Sequence, residues 1–229
     1  MVATVYDSPD AALDGIADGA RIMFGGFYSG GAPNNLIHAL CRRGTRDITA
    51  IANSIAWGDI LDDLCEQRQL RGLIGTFAIR ASSAVVSRFE EQYRRGEVAL
   101  EVMPQGTFAE RIRAGGGGLG GVVTRSGLGT PYAEGKRTVE VDGETFLLEP
   151  PLHADVALLR AHRADRLGNL EYRGTSRNFN PIMATAADLV IVEVEEIVEV
   201  GAIDLERVGT PAVFVDRIVQ CARLDVTDA

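Results

Sequence analysis

The chain has 229 residues, of which 46% are hydrophobic, and a formal net charge of -9 at pH 7. This size and apolar content predict a single domain over residues 1–229, and the acidic balance argues against nucleic acid as a partner. Cys41, Cys65 and Cys221 show neither disulfide-framework nor metal-ligand spacing, which favours the reducing cytoplasm. No apolar run approaches the roughly 20 residues of a membrane span, so no membrane partner is expected.

Helix-like and strand-like segments alternate along most of the chain, as judged from apolar periodicity and turn residues. The predicted strands are 22–24, 48–52, 73–79, 98–103, 156–161, 189–194 and 213–215. The predicted helices are 9–18, 33–43, 59–66, 83–95, 107–114 and 182–187. This alternation predicts an α/β fold with an open, largely parallel sheet and flanking helices.

A hairpin is predicted in the second half of the chain. Asp142-Gly143 separates two β-prone runs, 138–141 and 144–148, which is a strong two-residue hairpin signal. Together with the late strands, the hairpin predicts an antiparallel extension of the sheet.

Residues 18–33 read Asp-Gly-Ala-Arg-Ile-Met-Phe-Gly-Gly-Phe-Tyr-Ser-Gly-Gly-Ala-Pro, a pattern typical of a strand, a glycine loop and a helix start. Glycines allow backbone N–H groups to approach a ligand, and a helix N-terminus adds partial positive charge. The spacing is not the G-x-G-x-x-G of a dinucleotide site. A tight turn without a ligand therefore remains an equal alternative to a binding role for Gly25, Gly26, Gly30 and Gly31.

Gln105 is the most informative single residue. It lies between a predicted strand end and a helix that we expect to begin at Thr107, where Thr107-Phe-Ala-Glu110 has the pattern of a capping box. Ligands of α/β proteins bind at this carboxyl edge, and an amide there can donate to a developing oxyanion. From the sequence pattern alone, a solvent-facing loop glutamine is the commoner case.

Two further polar residues follow strands that end at the same edge. Asn53 follows the strand 48–52, where a turn-forming role is the alternative to substrate contact. Arg80 follows the strand 73–79 and can pair with a substrate carboxylate, although a solvated surface arginine is more common.

The remaining titratable residues do not indicate a metal site or an activated nucleophile. His38, His153 and His162 have no partner at metal-ligand spacing and are interpreted as structural. No G-x-S-x-G elbow is present. We interpret the acidic residues of the late strands as a solvated strand edge rather than a catalytic pair: Glu193, Glu195, Glu196 and Glu199.

The glycine stretch resembles the signature of the alpha-type chain of the family I CoA-transferases, through Asp18-Gly19, Gly25-Gly26-Phe27, Gly31 and Pro33. Residues 104–107 and 109–115 are similar to a second family segment, in which the glutamine contributes to the oxyanion hole. Residues 161–170 and 176–181 resemble further motifs, so the likeness covers nearly the whole chain.

The resemblance implies a heteromeric enzyme that needs no cofactor, because CoA esters are its substrates. In this family a glutamate of the beta subunit attacks the acyl-CoA and then carries CoA as a glutamyl thioester. No matching Glu-Asn-Gly segment occurs here, so the implied partner is a beta subunit in an α2β2 assembly. The resemblance implies Gln105 as the catalytic contribution of this chain. It implies substrate binding by Gly25, Gly26, Gly30, Gly31, Asn53, Arg80 and Gly106.

The implied substrates are succinyl-CoA and 3-oxoadipate. Acetoacetate-type members carry a Gly-Glu-Asn segment where this chain has residues 78–83, and residues 148–155 also look more like the 3-oxoadipate branch. Arg80 would then suit a dicarboxylate.

Two alternatives stay open. Hydrolysis of a ring-bearing CoA ester, as in steroid-degrading relatives, needs an acid on this chain, and Glu90 and Glu91 are the candidates, although both have the spacing of helix-face residues. The other alternative is a non-catalytic module that binds CoA or a sugar phosphate.

Overall fold

The computed structural model describes residues 2–28, 30–55, 61–78 and 86–222. The strands are β1 Thr4–Tyr6, β2 Arg21–Phe24, β3 Ile48–Ser54, β4 Leu70–Phe77, β5 Ala99–Val102, β6 Val122–Thr124, β7 Thr138–Val141, β8 Glu144–Glu149, β9 Ala154–Asp165, β10 Leu170–Glu171, β11 Ala187–Val198 and β12 Arg217–Gln220. The α-helices are α1 Pro9–Ala12, α2 Asn34–Arg43, α3 Leu61–Glu66, α4 Arg88–Arg94, α5 Gln105–Gly116 and α6 Asn180–Ala184.

The main sheet is open and largely parallel, as predicted. Among the described residues its strand order is β1-β12-β11-β9-β2-β3-β4-β5, and every neighbouring pair in that order is parallel. The short β10 pairs with β9 in the antiparallel sense. Because all eight strands of the path point the same way, their carboxyl ends form one edge of the sheet.

The hairpin prediction is confirmed. β7 and β8 pair around Asp142 and Gly143, which have φ values of +51° and +78°, as a two-residue turn of this kind requires. With β6 they form a separate small antiparallel sheet.

The expectation that the late strands extend this antiparallel part was wrong. β11 pairs in parallel with both β9 and β12 inside the main sheet. The chain leaves β9 and returns through α6, so the connection is a crossover, which produces parallel neighbours. The strand predicted at 213–215 was also wrong, because residues 212–214 form a short 3-10 helix after Pro211 and the strand begins at Arg217.

Strand alternation divides the hydrophobic core between the two faces of the sheet. Ile22, Phe24 and Leu158 pack on the face covered by the helices α1 to α4. Met23 and Leu159, one position along, pack on the face covered by α5 and α6. The sheet is thus buried on both sides, and its carboxyl edge remains available for a site.

Several element boundaries differ from their predictions. α1 ends at Ala12 rather than near Gly19, because the chain turns at Gly15, whose φ is +87°. α6 covers Asn180–Ala184, and residue 187, predicted to end this helix, already begins β11. The helices predicted over 59–66 and 83–95 lie partly outside the described residues, as does the strand predicted over 73–79.

The capping box at Thr107 was wrong, and this matters for the site. α5 begins two residues earlier, at Gln105, with Pro104 as its N-cap, and the Pro104 carbonyl accepts from the amide of Phe108 at 2.9 Å. Glu110 pairs with Arg113 instead of turning back to the helix start. Gln105 therefore occupies the first helical position and not the loop before the helix.

Candidate functional site

The ends of β2, β3, β4 and β5 bring most of the described candidate residues to one edge of the sheet. β3 pairs with β2 on one side and with β4 on the other, and β4 pairs with β5. The glycine loop follows β2, Asn53 is the penultimate residue of β3, and Gln105 lies three residues beyond β5. Arg80, the remaining candidate, lies outside the described residues.

Gln105 and Gly106 form the exposed first turn of α5. Pro104 carries no side-chain hydrogen-bonding group, and no side-chain cap closes this helix start. Both residues are exposed, and the space beside the Gly106 Cα is open. The amides of the first helical turn and the partial positive charge of the helix end are consequently available next to the Gln105 side chain.

Asn53 is buried, although the sequence pattern places it simply at a strand end. Its Nδ2 lies 3.2 Å from Thr76 Oγ1, and that hydroxyl donates to the Asn53 carbonyl oxygen at 2.9 Å. The Asn53 Oδ1 is buried and has no hydrogen-bond partner among the described residues. This free acceptor is an unusual feature, because buried polar atoms normally have partners.

The glycine loop is packed against the segment 174–180, which its sequence alone did not reveal. A Cβ on Gly25 would lie 1.9 Å from Asn180 Oδ1, and one on Gly31 would lie 2.6 Å from the Ser176 carbonyl oxygen. Gly26 has a φ of +112° and closely approaches the backbone of Ala32. Close packing within the chain thus accounts for these three glycines.

Asn180 and Asn178 hold the loop in place. The buried Asn180 side chain donates to the Gly31 carbonyl at 3.0 Å and accepts from the Arg160 amide at 3.0 Å. Asn178 donates to the Gly30 carbonyl at 2.7 Å. These bonds join the glycine loop to β9 and α6, so the family-like motif at 176–181 supports the loop that the motif at 18–33 builds.

Three aromatic rings, the half-buried Phe27 and the exposed Tyr28 and Phe77, form a cluster at the same edge that sequence reasoning missed. Phe27 and Phe77 have ring centroids 6.0 Å apart, and the Tyr28 ring lies 5.3 Å from Phe27 and 6.3 Å from Phe77. The Tyr28 amide donates to Ser54 Oγ at 3.1 Å. Aromatic residues directly inside a glycine loop were the signal available in the sequence.

A charged cluster crosses β9 and β11, where the sequence analysis expected a solvated strand edge. Glu196 and Glu199 are exposed as expected, but the edge position was wrong, because β11 lies between two other strands. Glu195 contacts Arg160 at 2.9 Å and His162 Nδ1 at 3.0 Å. Glu193 is buried and accepts from the Leu36 amide at 3.0 Å, and it thereby caps α2.

Burial raises the pKa of Glu193 to about 7, although hydrogen bonds from Leu36 and Asn35 and the charge of Arg160 oppose that shift. Its carboxyl group accepts from the first turn of α2, through the Leu36 amide and the Asn35 side chain. The described contacts of the cluster join β9, β11 and the start of α2.

The cysteines are not poised as nucleophiles. Burial raises the pKa of both Cys41 and Cys221 to about 12, and it raises that of Cys65 further. In the part of the chain that the structure describes, no group of three His, Cys, Asp or Glu side chains is arranged to hold a metal ion. Among the described helices, none is long and apolar enough to cross a membrane.

Comparison with known proteins agrees with the motifs. The family described as Coenzyme A transferase matches residues 6–221. The A subunit of 3-oxoadipate CoA-transferase from Pseudomonas putida is 46% identical over 220 residues, covering 96% of this chain and 94% of the relative. The A subunit of succinyl-CoA:3-ketoacid coenzyme A transferase from Xanthomonas campestris pv. campestris strain B100 is 46% identical over 216 residues. The match covers 93% of this chain and 87% of the relative.

A solved structure of a variant of the decarboxylase AibA/AibB superposes with a TM-score of 0.82 at 29% identity, covering 97% of this chain and 84% of that one. The match to the family extends from β1 to the end of the last strand, and it includes every segment of the edge described above. The chain belongs to the coenzyme A transferase family.

Proposed function

We propose that this chain is the alpha subunit of a heteromeric CoA-transferase that moves CoA from succinyl-CoA to a 3-oxoacid, with 3-oxoadipate as the acceptor. The observation that carries the proposal is the position of Gln105, exposed at an uncapped helix start on the carboxyl edge of the sheet. The relatives that share nearly the full length of the chain support the choice of reaction.

The attacking carboxylate is expected on a partner beta subunit. Among the described residues at this edge, Gln105 and Asn53 offer amides and the rings of Phe27, Tyr28 and Phe77 offer an aromatic surface, groups that stabilise charge or shape a pocket. A glutamate oxygen from the partner adds to the acyl carbonyl, and CoA leaves as a thiolate. That thiolate then attacks the resulting anhydride at the glutamyl carbonyl, which releases the donor acid and leaves CoA on the glutamate.

Gln105 would act on the charge that develops during these steps. When an oxygen or a sulfur adds to a carbonyl, the carbonyl oxygen becomes an oxyanion that needs fixed donors. The Gln105 amide group and the N–H groups of the first turn of α5 can supply them, and the helix end favours negative charge. This role makes Gln105 a catalytic residue without making it a nucleophile.

The hydrolase alternative is less well supported. Its candidate acids, Glu90 and Glu91, lie in the first turn of α4, where the buried Glu90 pairs with Arg94 and the exposed Glu91 with Arg95. Both carboxylates are thus engaged in ion pairs within their own helix. A water-activating acid from this chain is therefore not part of the proposal.

A mixing assay tests the proposed division of labour. The chain is assayed alone and together with a beta-type chain carrying the Glu-Asn-Gly segment, with succinyl-CoA as the donor and 3-oxoadipate or acetoacetate as the acceptor. We expect transfer only in the mixture and a higher kcat/KM for 3-oxoadipate. Transfer by this chain alone would contradict the shared site, and CoA release without transfer would favour hydrolysis.

A further inference from the structure

Tyr28 has a backbone conformation that its side chain disfavours. Its φ is +49°, in the left-handed region, where a bulky residue is strained and a glycine is not. The other described non-glycine residues with positive φ are polar: Asp47, Arg68 and Asp142. Strained residues of this kind cluster at functional sites. An aromatic residue in a left-handed position of a glycine loop therefore indicates that its side chain has a function that glycine lacks.

The Tyr28 ring does not fill the core. The residue is 41% exposed, and the neighbouring Phe77 is 38% exposed. Its amide is fixed by the hydrogen bond to Ser54 Oγ, so the backbone holds the ring at a defined place. No hydrogen bond joins its hydroxyl to the described part of the chain.

The ring also lies close to the proposed catalytic edge. Tyr28 follows β2, yet its ring reaches across the end of β3 to Phe77, the last residue of β4. The next strand is β5, which leads into Gln105. Phe77 ends β4, and neighbouring strands are about 4.8 Å apart. The aromatic surface therefore begins one strand spacing from β5, the strand that leads to Gln105.

We propose that Tyr28 is a specificity-determining residue whose ring, with that of Phe77, contacts the carbon chain of the acid that accepts CoA. The proposal rests on the proposed function. The ring faces provide an apolar surface for the methylene groups of a longer oxoacid, and the Tyr28 hydroxyl can donate to its distal carboxylate. A short oxoacid gains little from either contact, so Tyr28 favours the longer dicarboxylic acid.

The test compares Tyr28→Gly and Tyr28→Phe in the assembled enzyme, with 3-oxoadipate and acetoacetate as acceptors. We expect Tyr28→Gly to lower the ratio of kcat/KM for the long acid over the short one about 10-fold, the size of effect that apolar contacts and one hydrogen bond give. Tyr28→Phe should lower it about 3-fold, since only the hydroxyl is lost. The Tm of Tyr28→Gly should stay level or rise, because the backbone strain is relieved.

Asp142→Gly is the matched control, because Asp142 has a similar φ of +51° but lies in the hairpin of the small sheet. It should also keep or raise the Tm, and it should leave the substrate ratio unchanged. Three results for Tyr28→Gly would overturn this proposal alone. They are an unchanged ratio of kcat/KM in an active enzyme, an equal fall in kcat/KM for both acids, and loss of binding to the beta subunit. Absence of transfer by the unsubstituted enzyme would contradict the proposed function and this proposal with it.

Discussion

Gln105 shows how the meaning of a single residue depends on where a helix begins. As a loop residue it would have many orientations, whereas as the first residue of α5 it is fixed beside the free amides of the helix start. Pro104 is the N-cap residue that places Gln105 at the start of α5. Proline has no N–H that would need a partner there, and its ψ of +141° is extended rather than helical.

Gln105→Ala should slow CoA transfer by about 10- to 1000-fold, with little change in the affinity for the CoA ester. The alanine retains the helix but removes the proposed oxyanion donor. Steady-state kinetics with direct measurement of CoA-ester binding will separate the two effects. Gln67→Ala, at an exposed position just after α3, is the control and should leave both unchanged. A change confined to KM would mean that Gln105 only binds substrate.

The raised pKa of Glu193 predicts how the stability of the chain depends on pH. Burial raises its pKa from 4.5 to about 7, so the folded chain takes up a proton between these values. Its stabilising contribution is complete below pH 4.5 and is lost as the pH rises through about 7. Glu193→Gln should therefore flatten the fall in unfolding free energy between pH 4.5 and about 7, by at most about 1.4 kcal/mol per pH unit.

Chemical denaturation across that pH range, with Glu196→Gln as the control on the same strand, measures this effect. Parallel profiles for the wild type and Glu193→Gln would show that Glu193 keeps its charge in the folded chain.

At the scale of elements, the alternation of strands and helices and the hairpin could be predicted from periodicity and turn chemistry. The position of β11 could not, because Glu193 and Glu195 give its sequence the appearance of an exposed strand. Their charges are accommodated by partners distant in sequence, namely Arg160, His162 and the start of α2. The start of α5 was predicted two residues too late, because the prediction relied on the capping-box pattern at Thr107 and not on Pro104, which is the N-cap.

The packing of the glycine loop against the segment 174–180 leads to a paired prediction. Gly31 and Gly44 have nearly equal φ values, +76° and +74°, but only Gly31 has atoms within 4 Å of an added Cβ. Gly44→Ala should cost about 1–2 kcal/mol of unfolding free energy from backbone strain alone. Gly31→Ala should cost about 1–3 kcal/mol more, because the Ser176 carbonyl blocks the methyl group.

Urea denaturation of the two alanine variants gives both costs directly. Equal losses would show that segment 174–180 moves away without penalty, and the loop would then be held less firmly than its hydrogen bonds with Asn178 and Asn180 indicate.

At the scale of the whole molecule, the sequence identified the family and the parallel sheet from motifs spread along nearly the entire chain. It could not place Phe77 beside Phe27 and Tyr28, because that ring meets the other two only through strand order. The buried acceptor of Asn53 was likewise invisible, since a residue at a strand end can face either water or the core. The site is thus defined jointly by local motifs and by the sheet that aligns them.

The central claim is that this chain stabilises the reaction while a partner chain forms the covalent intermediate. The direct measurement is intact-mass spectrometry of the assembled enzyme after incubation with succinyl-CoA and no acceptor acid. The account predicts a mass increase corresponding to bound CoA on the beta-type chain, lost on addition of 3-oxoadipate, with this chain unmodified. CoA attached to this chain, or no adduct on either chain during active transfer, would contradict it.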